Sequence, residues 1–134
     1  MVKIDIVYQG DKHSQITHGP SGAVLETDAP KDNNGRGESF SPTDLVAAAL
    51  GSCMVTVMAI SAEKEGIDMR GARSSVTKEM VANPRRISRL SVEIEMPKTV
   101  PAAAREKLEQ IARTCPVAKS IHEQIEVPIS FKWL

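Results

Sequence analysis

Between Leu45 and Ala62 the chain sets down eighteen residues in succession without a charge, and Cys53 lies in the middle of them. A run of that length either spans a membrane, forms an inert core helix, or walls a site that uses the thiol. Its flanks mark a helix: Ser41 suits the N-cap, Pro42 the first helical position, and Asp44 sets a negative charge against the positive end of the dipole, with the end expected near Gly66. Leu45, Ala49, Cys53, Val57 and Ile60 fall on one face by steps of three and four, and Val46, Leu50, Met54 and Met58 line the next. Length alone permits a membrane span. However, Ala47, Ala48, Ala49, Gly51, Ser52, Thr56 and Ser61 make the run weakly apolar, and no second candidate span exists, so a buried central helix is expected. The small residues at 47 to 52 imply a neighbour packed very close to the first half of that helix.

Upstream, Val2, Ile4, Ile6 and Tyr8 recur with period two, "QGDKHS" turns, "QITH" extends, "GPSG" turns and "AVLET" extends, a meander of two or three strands. "DAPKDNNGRGES" has no periodicity and reads as an exposed loop leading into the helix. Downstream, "DMRGARSSVTKEMV" and "RRISRLSVEIEMP" form two long strands joined at "ANPR", with Ile87, Leu90, Val92, Ile94 and Met96 on the buried face. Thr99 to Pro101 opens a helix, "AAAREKLEQIAR", with Ala104, Leu108 and Ile111 inward. Pro116 disfavours helical geometry at Cys115, so a separate short helix, "VAKSIHEQI", follows, and "VPISFKWL" closes the chain as a strand. Strands, long helix, strands, helices, strand is an α+β order, expected as one domain over residues 1–134.

Seventeen basic residues balance seventeen acidic ones, and one Tyr, one Trp and two Phe leave little to stack on bases, so a nucleic-acid partner is excluded from the reading. The first residues alternate like a strand and reach a charged turn within a dozen positions, unlike a secretory leader, so a cytoplasmic location is expected. His13, His18 and His122 have no ligand spacing with one another or with the cysteines, and no metal or bound cofactor is expected. Arg85, Arg86 and Arg89 read as a solvated hairpin tip. The methionines read as core filler, with Met54 and Met58 also candidates to line an apolar pocket.

Cys53 and Cys115 are the two cysteines, and each has a bland alternative, Cys53 as a small core residue and Cys115 as a capping or core residue. A mid-helix thiol gains little from the dipole and needs an imported cation for activation, whereas Cys115, beside Pro116 at a helix start, faces N–H groups that favour a thiolate.

"SPTDLVAAALGSC", a helix ending in "EKEG", and later "ARTCPVAKSI" before a terminal alternating strand together resemble the OsmC/Ohr family of thiol-dependent hydroperoxide reductases, in element order from about Phe40 onward. The resemblance implies an α+β fold with antiparallel sheets around a long central helix, in which two chains intertwine as a homodimer. It places Cys53 on the peroxidatic cysteine and Cys115 on the resolving one. Cys53 would reduce an organic hydroperoxide and become a sulfenic acid, Cys115 would condense it to a disulfide, and a lipoyl-type dithiol would regenerate the pair. It further implies an arginine in the loop before the helix, for which Arg36 is the candidate, and a glutamate directly after the helix-opening proline. Here that position is Thr43, and the carboxylate is Asp44, about 100° further round the helix, with Glu38 as the other candidate. A second reading keeps fold and thiols but makes the protein a redox sensor or small-molecule binder, because the activating carboxylate is displaced.

Overall fold

The computed structural model describes residues 1–134, in two compact units, residues 1–46 and 47–134. The first is an antiparallel meander of β1 (Ile4–Gly10), β2 (His13–His18) and β3 (Val24–Asp28), followed by a loop and the start of helix α1 (Pro42–Lys64). Cross-strand pairing sets Ile6, Ile16 and Leu25 side by side on one face and His13 opposite Asp28 on the other. The strands fall where their period-two patterns predict, but the apolar side chains of β1 are not covered: Ile4, Ile6, Val7 and Tyr8 are all exposed in this chain, as are Val24 and Leu25.

The loop after β3 is mostly exposed, as its composition predicts, and it is stitched to the strand end. The Asp28 N–H donates to the Phe40 carbonyl, the Gly37 N–H to the Ala29 carbonyl and the Gly35 N–H to the Pro30 carbonyl. A Cβ on Gly35 would overlap the Ala29 carbonyl, and Gly37 has φ +61° with the Lys31 side chain against it. Both positions therefore require glycine. Arg36, between them, is fixed in backbone direction by its neighbours.

The second unit holds the rest of α1 and a sheet ordered β4 (Arg73–Val81), β5 (Arg86–Met96), β6 (Ile129–Trp133). β4 and β5 pair antiparallel through the turn at Ala82–Arg85. β6 runs parallel to β5, which departs from the all-antiparallel expectation. The reason is the connection: helices α2 (Arg105–Ala112) and α3 (Pro116–Ser120) carry the chain back to the starting end of β5, as a parallel pair requires. The α3 helix stops at Ser120, short of the "VAKSIHEQI" expectation, and the next residues turn into the bridge between Glu126 and Arg89. In β5 the buried set is Ile87, then Leu90, Val92, Ile94 and Met96; the change of parity coincides with a bulge at Ser88, where Glu79 pairs with Arg89 and Met80 with Ile87.

Leu50, Met54 and Met58 of α1 are fully buried with Leu90, Ile94, Met96 and Leu108. They belong to the second of the two predicted helix faces and are core side chains, not the lining of a pocket. At Gly51 the helix comes so near β4 that a Cβ would lie 2.7 Å from Val76 Cγ2 and 2.9 Å from Ser74 Oγ, which accounts for the glycine, whereas Ala48, Ala49 and Ser52 are exposed in this chain. Gly66, at φ +71°, ends the helix as expected, and the Ile67 N–H returns to the Ala62 carbonyl.

Candidate thiol site

Cys53 and Cys115, 62 positions apart in the chain, are both free thiols, and the fold brings them near enough for Cys53 to act on the ionisation of Cys115. Cys53 lies on the flank of α1 beside the buried Leu50–Met54–Met58 stripe and is half-buried. Cys115 is fully buried at the break between α2 and α3. Pro116 forces Cys115 into extended geometry (φ −60°, ψ 142°) and occupies the first helical position, so that the Cys115 Sγ caps α3 by accepting the Ala118 N–H at 3.3 Å.

Two opposed influences act on Cys115. Burial pushes its thiol up from the ordinary 9.0, the neighbouring Cys53 pushes the same way, and the Ala118 and Val117 N–H groups pull down. Burial prevails, so the thiolate anticipated from the helix start is not the favoured form. The pair is thus a half-buried thiol beside a fully buried one whose protonated form burial favours.

Arg36 lies in the first unit, where its side chain turns to β3: Nε and Nη2 both donate to Asp28 Oδ1 at 3.3 Å, and Asp11 Oδ2 is 3.7 Å from Nε. The hydrogen bonds of Arg36 thus go to Asp28 rather than to Asp44 or Glu38. Asp44 instead forms a reciprocal cap, its Oδ2 accepting the Ser41 N–H at 2.9 Å while Ser41 Oγ accepts the Asp44 N–H at 3.1 Å. Glu38 is exposed on the loop beside Phe40. The partner that sequence reasoning missed is Asp28, 1% exposed, which also receives His13 Nδ1 at 2.6 Å. The available signal was the register: once β2 and β3 are paired, His13 and Asp28 stand opposite, and a buried carboxylate demands such donors. The His13 hydrogen bond, and after it the arginine, hold the Asp28 carboxyl below the usual 3.8 against the opposing effect of burial, while Asp28 and Glu26 raise His13 above 6.5. No cluster of side chains suited to a metal ion occurs. At the hairpin, Arg89 is not simply solvated; it binds Glu126 at 2.7 Å and Glu79 at 3.5 Å.

The OsmC-like protein family model matches residues 35–130. A protein of Psychrobacter arcticus, described as an osmotic stress induced and detoxification response protein, is 41% identical, with 98% of this chain and 96% of that one covered and a TM-score of 0.93. An OsmC-like protein of Mycoplasma pneumoniae shares the fold at 15% identity (TM-score 0.82; 100% and 97% covered), as does an organic hydroperoxide resistance protein of Legionella pneumophila at 18% (TM-score 0.74; 98% and 96% covered). No curated protein sequence matches the chain. An α+β chain with two three-stranded sheets and a long helix is the fold shared with these structures. The chain belongs to the OsmC-like protein family.

Proposed function

We propose that the protein is a cytoplasmic, thiol-dependent reductase of organic hydroperoxides. The observation that carries this reading is the pair itself: one half-exposed thiol, Cys53, within reach of a fully buried second one, Cys115. The Cys53 thiolate attacks the outer oxygen of the hydroperoxide, the O–O bond breaks, and the alkoxide takes a proton to leave as an alcohol. Cys53 becomes a sulfenic acid; Cys115 attacks its sulfur, and water departs as the disulfide forms. An external dithiol then returns two electrons and two protons and is itself oxidised to a disulfide. That several family structures, the Legionella pneumophila one among them, bear the name of organic hydroperoxide resistance supports the substrate class. The role of Arg36 as the cation serving the Cys53 thiolate rests on the family resemblance.

The protein acts in this reading as a homodimer. Two features support a second copy: the uncovered apolar side chains of β1 and β3, and an open groove along Val55, Ala59, Ile60 and Ile67. The α1 helix is long and apolar enough to cross a membrane, and only a third of its most apolar window is buried in a single chain. A partner chain covers such a face without a lipid phase, and Ser52, Thr56 and Ser61 on the helix suit a protein neighbour better than acyl chains.

The test is intact mass and free-thiol content of the reduced protein before and after one equivalent of cumene hydroperoxide, with Cys53→Ser and Cys115→Ser alongside. The parent should lose both thiols, Cys53→Ser should lose none, and Cys115→Ser should trap an oxidised Cys53. Survival of both thiols in the parent would move the protein to the redox-sensor or binding class. Sedimentation equilibrium giving a monomer at micromolar concentration would remove the dimer.

A further inference from the structure

The family pattern fixes its arginine with a carboxylate from the start of the helix, but here that carboxylate, Asp44, is engaged in capping α1. Arg36 turns instead to a buried oxygen on the sheet. Asp28 Oδ1 is shared by two donors that arrive from different elements, His13 Nδ1 from β2 and the Arg36 fork from the glycine-bounded loop. His13 also has Glu26 Oε1 at 3.4 Å from Nε2. β1 opposes it with Gly10, which carries no charge, and the adjacent Asp11 contacts Arg36 while Lys12 is exposed.

We propose that Asp28 is the positioning residue for Arg36, in the role expected of Asp44 or Glu38, and that protonation of His13 loosens its hold on the guanidinium. The functional part of this inference rests on the reading of Arg36 as the cation that serves the Cys53 thiolate. With His13 neutral and Nδ1 protonated, the imidazole donates a hydrogen bond but leaves the carboxylate charge to Arg36, a charge-assisted bond. An imidazolium at the same oxygen neutralises that charge and repels the guanidinium; Glu26 offsets only part of the repulsion, from the far side of the ring. The coupling is reciprocal, so Arg36 must disfavour charge on His13 by the same factor. The direction agrees: the Arg36 charge lowers the His13 pKa, although Asp28 raises it more and the net shift is upward. The loosening therefore sets in at a higher pH than it would with an unperturbed histidine.

Nitrogen-15 NMR of the Arg36 Nε–Hε group in the full-length protein tests this without reference to activity. At pH 8, Asp28→Asn should speed Arg36 Hε exchange by about tenfold or more, and Asp28→Glu should recover part of the protection. Relative to His13→Gln at the same pH, the parent should exchange alike at pH 9 and about threefold or more faster at pH 5.5. Arg36→Gln should raise the His13 pKa, which keeps the inference testable if Asp28→Asn does not fold. Unchanged Arg36 exchange in Asp28→Asn, a parent that tracks His13→Gln at every pH, or an unmoved His13 titration in Arg36→Gln would each overturn it. In the cumene hydroperoxide assay, Asp28→Asn should oxidise Cys53 about tenfold more slowly or worse, with partial rescue by Asp28→Glu; a parental rate would remove the functional role of Asp28. If the NMR changes occur as stated but the parent thiols do not react with peroxide, the peroxidase reading fails and the positioning of Arg36 by Asp28 stands.

Discussion

In the proposed cycle the step that closes the disulfide needs Cys115 as a thiolate, and the structure opposes that ionisation. Cys115 is fully buried, and burial lifts its thiol above 9.0 despite the Ala118 and Val117 N–H groups. At pH 7 a thiol at or above that value is thiolate in at most about 1% of molecules, and the fraction grows about tenfold for each pH unit until the pKa is passed. Oxidation of Cys53 removes the smaller, neighbouring-thiol contribution and leaves burial in place. The rate of disulfide formation should therefore climb with unit slope in log k against pH from 6 to 9, about a thousandfold in all. Rapid mixing of reduced protein with excess cumene hydroperoxide, quenching with an alkylating reagent and weighing the products separates sulfenic acid from disulfide at each pH. A group whose pKa is raised by folding contributes stability in full below its unfolded value of 9.0 and loses it as pH rises through the folded one, so the fold should be followed by circular dichroism above pH 9. A plateau below pH 8 would show that Cys115 is ionised by something other than its present surroundings and would refute the reasoning.

Gly51→Val would press branched carbons into Val76 and Ser74 and should lower stability by about 2 kcal/mol or more, read as the urea midpoint; an unchanged midpoint would mean that α1 can lift from β4. Met54→Ala, at a site with no exposure, should cost about 2–5 kcal/mol in the same assay. Asp44→Ala should cost about 0.5–2 kcal/mol through the lost cap while leaving the Arg36 Nε–Hε signal in place, and a displaced signal would return Asp44 to the arginine. Asp28 is held below 3.8 when folded, so its contribution is complete above that pH and is lost as pH falls through the folded value. Asp28→Asn should thus flatten the acid limb of the stability profile, and a limb as steep as the parent's would contradict the His13 and Arg36 contacts.

Local patterns made most of the fold legible. The limits of α1 followed from Ser41, Pro42 and Gly66, and the strands from period-two runs, because both depend on residues within a few positions. The parallel direction of β6 is a consequence of how α2 and α3 return the chain, and no residue in "VPISFKWL" encodes it. The site divided in the same way. Cys115 as a cap followed from Pro116 beside it, but its protonation depends on burial by distant segments, which reversed the expectation drawn from the helix start alone. Arg36 was paired with carboxylates on the helix side of it, whereas its partner Asp28, no further away in sequence than Asp44, is set by the β2–β3 register and by two glycines that admit only one course for the loop.

The unequal exposure of the two sulfurs also orders the regenerating half of the proposed reaction. A reductant arriving from solvent meets Cys53 Sγ first, since Cys115 has no exposed surface. Thiolate attack there expels Cys115, and an exchange is faster when the departing sulfur is the more acidic one. Burial makes Cys115 a poor leaving group by that measure; the Ala118 N–H, 3.3 Å from its sulfur, is the local donor that stabilises the departing charge. Every thiol reductant must expel Cys115, but a monothiol must then find a second thiol in solution. A dithiol completes the second exchange intramolecularly, where effective concentration replaces collision. The geometry of the pair thus favours a dithiol reductant on kinetic grounds, and equal rates for dihydrolipoamide and twice its concentration of β-mercaptoethanol would contradict that order of events.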